Sequence, residues 1–399
     1  MFCLLLLVFP LVIFLLLKLK YDKSKDEVYK GVFHHKHCRL SQFLLSKWST
    51  INDAYKPTFW ATNGHLQTLL HLFWPRSIIR FQREYLQVED QGVVALDWIT
   101  KTVECRHNIT LNSASPILLV IPALTCGVRE ISTICRKAQE YSFRCVVYNR
   151  RGQAGSVLTT ACLQNACHSK ELDEILTYLH STYPYAKIVA VAYSSGASLL
   201  LYYLEETRKT PLCGAVCISP SYETEKSFEQ CLPPFYDYLM TKRLTCFLRE
   251  HPGLANFIDM ETALKCKNMH EFNQRVFEPL TRLNCSRYGY ESQLNSHFNN
   301  ISRVRVPILC ISALDDPICN ADIIPYSSFK NSSNFFLLTC EKGGHCGFYQ
   351  GYAAACSWAD QQACSFLEII INFNMRKNVE SICVPSIFAQ VRRDRSYTQ

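Results

Sequence analysis

Residues 188–204 read IVAVAYSSGASLLLYYL, an apolar run that ends at Tyr193, a serine at 194, and a helical pattern that begins within two residues. A strand running straight into a helix through one serine is the build of a nucleophile elbow. The sharp turn forces the serine into a strained backbone, so the residues two positions to either side must be small. Those positions hold Ala192 and Gly196. The usual G-x-S-x-G is therefore relaxed here to A-x-S-x-G, with alanine the smallest side chain that can replace the first glycine. A helix opening just after Ser194 also brings the positive end of its dipole close to the serine. Small residues are common in ordinary strand-to-helix turns, so the motif needs partners elsewhere in the chain.

The surrounding pattern supplies them. Short apolar runs predict strands at 116–121, 145–148, 188–193, 215–219, 306–311 and 335–338. Leu172, Ile175, Leu176 and Leu179 repeat at helical spacing between two of these, and Leu199, Tyr203 and Leu204 after another. Alternating strands and helices predict an α/β fold: a mostly parallel sheet with helices on both faces. The stretch at about 221–305 breaks the rhythm with helical, charged and aromatic sequence, and reads as a lid-like helical insertion over the active site. Downstream of Ser194, the strand in VPILCISALDDPIC is followed by Asp315 and Asp316, and the strand in FFLLTCEKGGHCGF by His345. Serine, acid, histidine is the chain order that an elbow of this kind requires. Ligands of an open parallel sheet bind at the carboxyl ends of its strands, where all of these residues fall. The Pro122-Ala123-Leu124-Thr125 loop follows the 116–121 strand, which makes the Leu124 and Ser195 backbone N–H groups the candidate oxyanion donors. His168 and Asp173 fit an H-x4-D acyltransferase pattern, but they open a well-patterned helix and carry little weight. Asn149-Arg150-Arg151-Gly152 follows a strand and offers either a phosphate site or a structural turn whose arginines pair with acids; the second is preferred.

Residues 1–17, MFCLLLLVFPLVIFLLL, are apolar throughout and are followed by Lys18, Lys20 and Lys23. The run lacks a basic start and a small-residue cleavage site, so it reads as an uncleaved membrane anchor over 1–20. Residues 21–56 read as a juxtamembrane linker, and a metal role for its His34, His35, His37 and Cys38 lacks a second ligand group at a typical spacing. The α/β domain follows over 57–385, then a polar tail over 386–399. The net charge of +8 over 399 residues comes without a compact basic cluster, which argues against a nucleic-acid partner. Lysines behind the apolar run, and 21 cysteines scattered without zinc-type spacing, favour a cytosolic domain with buried free thiols. Glycosylation-type triplets at Asn108, Asn284, Asn300 and Asn331 argue for the opposite side.

Seven motifs together resemble the AB hydrolase 4 family of membrane-anchored lipases and esterases: GHLQTL at 64–69, LDW at 96–98, PALT at 122–125, YNRRGQAGS at 148–156, YSSGASLLLYYL at 193–204, ALDDP at 313–317 and GGHCGF at 343–348. The resemblance runs from about Pro57 to about Phe373, and implies the α/β-hydrolase fold with Ser194 as nucleophile, Asp316 rather than Asp315 as the acid, and His345 as the base. The chain departs from the family pattern where Ala123, Ala192 and Ala197 replace glycines. Family members have phospholipase, acylglycerol lipase and short-ester esterase activities, and are described as lumen-facing, which leaves the side of the membrane open here. The expected function is hydrolysis of a lipid ester through an acyl-enzyme, with no metal or organic cofactor. The alternatives are a non-catalytic scaffold, suggested by the lost glycines, and a lipid acyltransferase.

Overall fold

The computed structural model describes residues 28–74, 79–100, 111–163, 169–222, 232–284 and 303–374. Among them, nine strands form the main sheet: β1 (Val32–His34), β2 (Phe81–Gln87), β3 (Val93–Ile99), β4 (Ile117–Ile121), β5 (Arg144–Asn149), β6 (Ile188–Tyr193), β7 (Leu212–Ile218), β8 (Ile308–Ala313) and β9 (Phe335–Cys340). Their order is β1-β9-β8-β7-β6-β4-β5-β3-β2. From β5 to β9 every neighbouring pair is parallel, while β2, β3 and β1 join antiparallel at the two edges. The parallel strands are the six apolar runs of the sequence. Strands buried on both faces read as continuous apolar stretches, because helices cover each side.

Alternation along β4 shows the two layers. Leu118 and Val120 enter one core, and Ile117, Leu119 and Ile121 the other. The first core is closed by helices α1 (Arg39–Lys47) and α3 (Ser132–Glu140) and by the helix over 358–374, here α7, whose Ala363, Phe366, Leu367 and Ile370 face the sheet. The second is closed by α4 (Ser169–Thr182) and α5 (Ser195–Glu206); Leu172, Ile175, Leu176 and Leu179, the helical repeat of the sequence, are all fully buried there.

The linker expected over 21–56 is corrected for residues 28–56, which belong to the folded domain. β1 pairs with β9, Val32 opposite Thr339. Helix α1 is capped by Cys38, and Leu40, Leu44 and Trp48 are buried in the first core. The Trp48 indole N–H donates to Gln362 of α7 at 2.9 Å. Polar sequence misled because only one face of α1 is apolar and β1 is three residues long. His34 and His37 bond Thr339 and Gln42 rather than gathering around a common point.

Between β7 and β8 the described residues 232–284 are helical: α6 (Pro234–Glu250), then the short helices Met260–Ala263, Met269–Phe272 and Glu278–Asn284. They share a third core, with Tyr236, Leu244, Leu248, Phe272 and Val276 at its centre and Leu124, Leu158 and Ile318 of the sheet-end loops against it. The apolar run over 1–17, His168, Asn108, Asn300, the Asn284 side chain, the tail over 386–399 and parts of the insertion lie outside the described residues. No described helix is long and apolar enough to cross a membrane. The described cysteines are free thiols, most of them buried.

Candidate active site

At the carboxyl end of β6, Ser194 has φ 48° and ψ −122°, a backbone that a residue with a side chain adopts only under constraint. The constraint is local. The Ser194 N–H donates to the Ile218 carbonyl at 2.9 Å, which extends the sheet ladder one residue into the turn. α5 then starts at once, with Ala197 N–H returning to the Ser194 carbonyl at 2.8 Å. Gly196 makes this possible, since a Cβ there would lie 2.5 Å from the Pro122 carbonyl oxygen and 2.6 Å from that of Ile121. Ala192 is fully buried between Ile121 and Cys217 on the neighbouring strands, where its methyl group is part of the second core.

β8 and β9 deliver the other two residues. Asp316 follows β8 and is held by its own turn, its Oδ1 accepting the Ile318 N–H at 2.8 Å and the Cys319 N–H at 2.9 Å. His345 follows β9 in a loop with positive φ at Gly343, Gly344, Cys346 and Phe348. Its N–H donates to Thr68 Oγ1 at 2.9 Å, and that hydroxyl donates to the Gly64 carbonyl at 2.7 Å. The helix α2 (Gly64–Phe73) thus braces the histidine loop from outside the sheet. The imidazole is bonded at both nitrogens: Nδ1 to Asp316 Oδ2 at 2.8 Å and Nε2 to Ser194 Oγ at 2.8 Å. Ser194, His345 and Asp316 therefore form one continuous hydrogen-bonded chain. Burial by itself disfavours a charged imidazole, but the Asp316 carboxylate outweighs it and holds His345 well above the ordinary histidine range.

Asp315 points elsewhere. Its Oδ1 accepts the Gly344 N–H at 2.9 Å, and its carbonyl oxygen would lie 2.0 Å from a Cβ at position 64, so it ties α2, β8 and the histidine loop together. Burial raises its carboxyl above the ordinary aspartate range, and its Oδ2 is buried without a hydrogen bond.

The expected oxyanion donors lie side by side at the start of α5, with a contact that the sequence does not show. Leu124 N–H donates to the Ser195 hydroxyl at 2.8 Å. Arg150 Nη2 donates to the same oxygen at 3.0 Å and to the Pro122 carbonyl at 2.9 Å. The preferred reading of the 149–152 turn, arginines paired with acids, is correct for Arg151 and wrong for Arg150. Arg151 is bidentate to Asp90, at 2.6 and 2.9 Å, and bonds Glu171. Arg150 is 2% exposed and makes no ion pair with an acid among the described residues. Burial lowers its guanidinium from the ordinary arginine value.

The insertion closes over these groups through polar contacts that the sequence reading missed. Arg243 of α6 donates from Nε to Thr125 Oγ1 and from Nη2 to the Thr125 carbonyl, each at 3.0 Å, and Thr125 has φ 61°. His251 Nε2 bonds the Gly152 carbonyl at 2.8 Å, and Tyr236 Oη bonds His65 Nδ1 at 2.8 Å. An arginine at 243 gives no motif; only the fold shows which loop it clamps. Asp316, Cys319 and His345 offer metal-donor atoms within 4.8 Å of one another. His345 already uses both ring nitrogens within the protein, and burial pushes the Cys319 thiol up to about 11, away from the thiolate that a metal would need.

Comparisons with known proteins agree with this architecture. The family model described as "alpha/beta hydrolase fold" matches residues 116–352. The chain is 28% identical over 348 residues to Phospholipase ABHD3 of Mus musculus, covering 83% of this chain and 82% of that protein. It is 33% identical over 299 residues to Protein ABHD15 of Homo sapiens, covering 73% and 64%. It is 24% identical over 372 residues to Monoacylglycerol lipase ABHD2 of Macaca fascicularis, covering 85% of each.

Proposed function

The chain belongs to the α/β-hydrolase family, with distant relatives in the AB hydrolase 4 family, and from that premise we propose that it is a serine hydrolase that cleaves carboxylic esters of lipids through an acyl-enzyme. The observation that carries the reading is the unbroken chain from Asp316 through His345 to Ser194 Oγ, with the serine on a strained elbow. In this reading Ser194 attacks the ester carbonyl carbon as His345 Nε2 takes its proton. The imidazolium then protonates the leaving alcohol, and a water molecule repeats the cycle on the acyl-enzyme. Asp316 keeps Nδ1 protonated, so that Nε2 faces the serine as a base.

Two observations support a lipid substrate. The relatives named above include a phospholipase and a monoacylglycerol lipase. The insertion also leaves a cavity of about 530 Å³ between the 155–161 loop and the end of α6, with Leu158, Ala161, Leu254 and Phe257 in its wall. That size falls within the usual range for a small-molecule site. An acyl chain seated there would lie against the core that also holds Leu124. The apolar run over 1–17 would keep the enzyme at its substrate's membrane.

The test is labelling with a fluorophosphonate, which needs an activated serine, followed by a panel of phospholipids and acylglycerols with product analysis. Wild type should label and release free fatty acid, while Ser194→Ala should do neither. An unlabelled wild type would favour the scaffold reading, and transfer to an added alcohol in preference to water would favour acyl transfer.

A further inference from the structure

Arg150 sets a physical problem that the proposed mechanism leaves open. A guanidinium stays charged in proteins, and burying one without a counter-ion is costly. Arg150 is 2% exposed, its Nε is buried with no hydrogen bond, and its Nη2 meets only a carbonyl and a hydroxyl. Its neighbour in sequence, Arg151, has two carboxylates. Among the described residues Arg150 therefore makes no ion pair, and Glu171, which Arg151 already engages, acts on it only through space.

The place where that charge points supplies a partner. Arg150 Nη2 and Leu124 N–H reach the same oxygen, Ser195 Oγ, at 3.0 and 2.8 Å. Ser195 directly follows Ser194, and Leu124 lies on the loop after β4, the two positions from which the oxyanion donors of a nucleophile elbow come. Arg150 is also fixed to that loop through the Pro122 carbonyl. The Ser195 hydroxyl therefore marks an oxygen-sized position already furnished with one backbone and one cationic donor.

We propose that Arg150 is the charged donor of the oxyanion site, and that the Ser195 hydroxyl is a placeholder which the substrate's carbonyl oxygen displaces. The inference rests on Ser194 being the nucleophile. As Ser194 Oγ bonds to the carbonyl carbon, the π pair moves onto the carbonyl oxygen and the serine proton passes to His345 Nε2. The resulting alkoxide receives N–H donation from Arg150 and Leu124, and Ser195 swings to another staggered rotamer. When the alkoxide collapses the C=O bond re-forms, and the leaving alcohol departs with the proton from His345. Arg150 gives up no proton. No ion pair among the described residues meets its charge before the attack, and the alkoxide meets it at the transition state, which is the differential stabilisation that catalysis needs.

The experiment compares wild type with Ser194→Ala, Arg150→Met, Arg150→Lys and Ser195→Ala on a soluble short-chain p-nitrophenyl ester. It adds inhibition by a trifluoromethyl ketone, whose serine adduct places an ionised oxygen at the same position. Arg150→Met should lower kcat by about 10²–10³-fold, the usual loss for one oxyanion donor, with little change in KM. Ketone affinity should fall in parallel, and Arg150→Lys should recover part of both. Ser195→Ala frees both donors from the placeholder and should raise kcat. Three results would overturn the proposal: Arg150→Met with a near-normal kcat, Arg150→Met with weaker substrate binding and lower Tm but unaltered ketone affinity, or Ser195→Ala with kcat at or below wild type. The last would mean that the hydroxyl is itself a donor or a strut, and it decides the matter alone if Arg150→Met fails to fold. Undiminished hydrolysis by Ser194→Ala would instead refute the proposed nucleophile, whatever the Arg150 variants do.

Discussion

Replacing each of the two adjacent aspartates by asparagine should separate the proposed orienting carboxylate, Asp316, from a structural one, Asp315. In Asp316→Asn the side-chain carbonyl keeps the Oδ1 position, where it accepts the Ile318 and Cys319 N–H groups at 2.8 and 2.9 Å. The amide NH₂ is then forced toward His345 Nδ1, which now lies 2.8 Å from Oδ2. A donor facing Nδ1 requires that nitrogen to accept, so the imidazole proton moves to Nε2, the atom that must receive the Ser194 proton. The same exchange in a serine-protease triad costs about 10⁴-fold in kcat, which is about 5.5 kcal/mol of transition-state stabilisation. Asp315→Asn keeps a carbonyl for the Gly344 N–H and removes a charge that burial disfavours. Because its folded carboxyl is raised, wild type loses stability as pH rises from the unfolded aspartate range through that raised value, and the Asn variant should not. Steady-state kinetics with thermal denaturation at pH 4 to 8 would test both. An Asp316→Asn enzyme within about tenfold of wild type, or an inactive but folded Asp315→Asn, would refute the assignment of roles.

Further outcomes follow from the same geometry. The rate should rise with pH through a group titrating above the usual histidine range, since Asp316 raises His345, and Asp316→Asn should move that midpoint down; the pH profile of fluorophosphonate labelling reads both. Gly196→Ala should fail to give folded, labelled protein, as its methyl would meet two carbonyl oxygens at 2.5 and 2.6 Å; recovery of active enzyme would show that the elbow can open. Ala161→Phe should lower kcat/KM for long-chain esters more than for short ones, read from a chain-length series. Deleting 1–20 should leave a folded, labelled protein free of membranes, while deleting 1–56 should abolish folding through loss of β1 and Trp48; soluble, active protein from the longer deletion would return 21–56 to the status of a linker.

The sequence shows most clearly those elements whose environment is uniform. Six parallel strands lie between two helical layers, so their residues are apolar without interruption and stand out from the chain. β2 and β3 escaped notice because β2 has a solvent side: Phe81, Gln82 and Gln87 are exposed, and Arg83 pairs with Asp97 of β3. β1 gives no periodic signal in three residues, and its place is set by β9, some three hundred residues away. Apolar residues of α1 pack on α7 and the sheet, a long-range contact that polar neighbours such as His35, Lys36 and His37 conceal.

The same contrast runs through the site. Ser194 and His345 are chemically distinctive residues at strand ends, so type and order single them out together with the Asp315–Asp316 pair, whereas the choice of Asp316 rests on the family resemblance, because the two aspartates are equivalent by composition and differ only in where each carboxylate points. Arg150 and Arg151 show the limit more sharply. Consecutive residues at the end of β5 project to different sides of the chain: Arg151 turns toward α4 and finds Glu171, while Arg150 turns across the sheet end toward Pro122 and Ser195. No spacing rule separates them, because the separation comes from the turn after β5 and from which strands lie next to β5. On one side of β5 lies β3 and on the other β4, with β6 beyond β4. An arginine at the end of β5 that reaches past β4 arrives at the start of α5. The strand order, more than the motif, therefore puts a buried cation at the start of α5, against Ser195 and next in chain to Ser194.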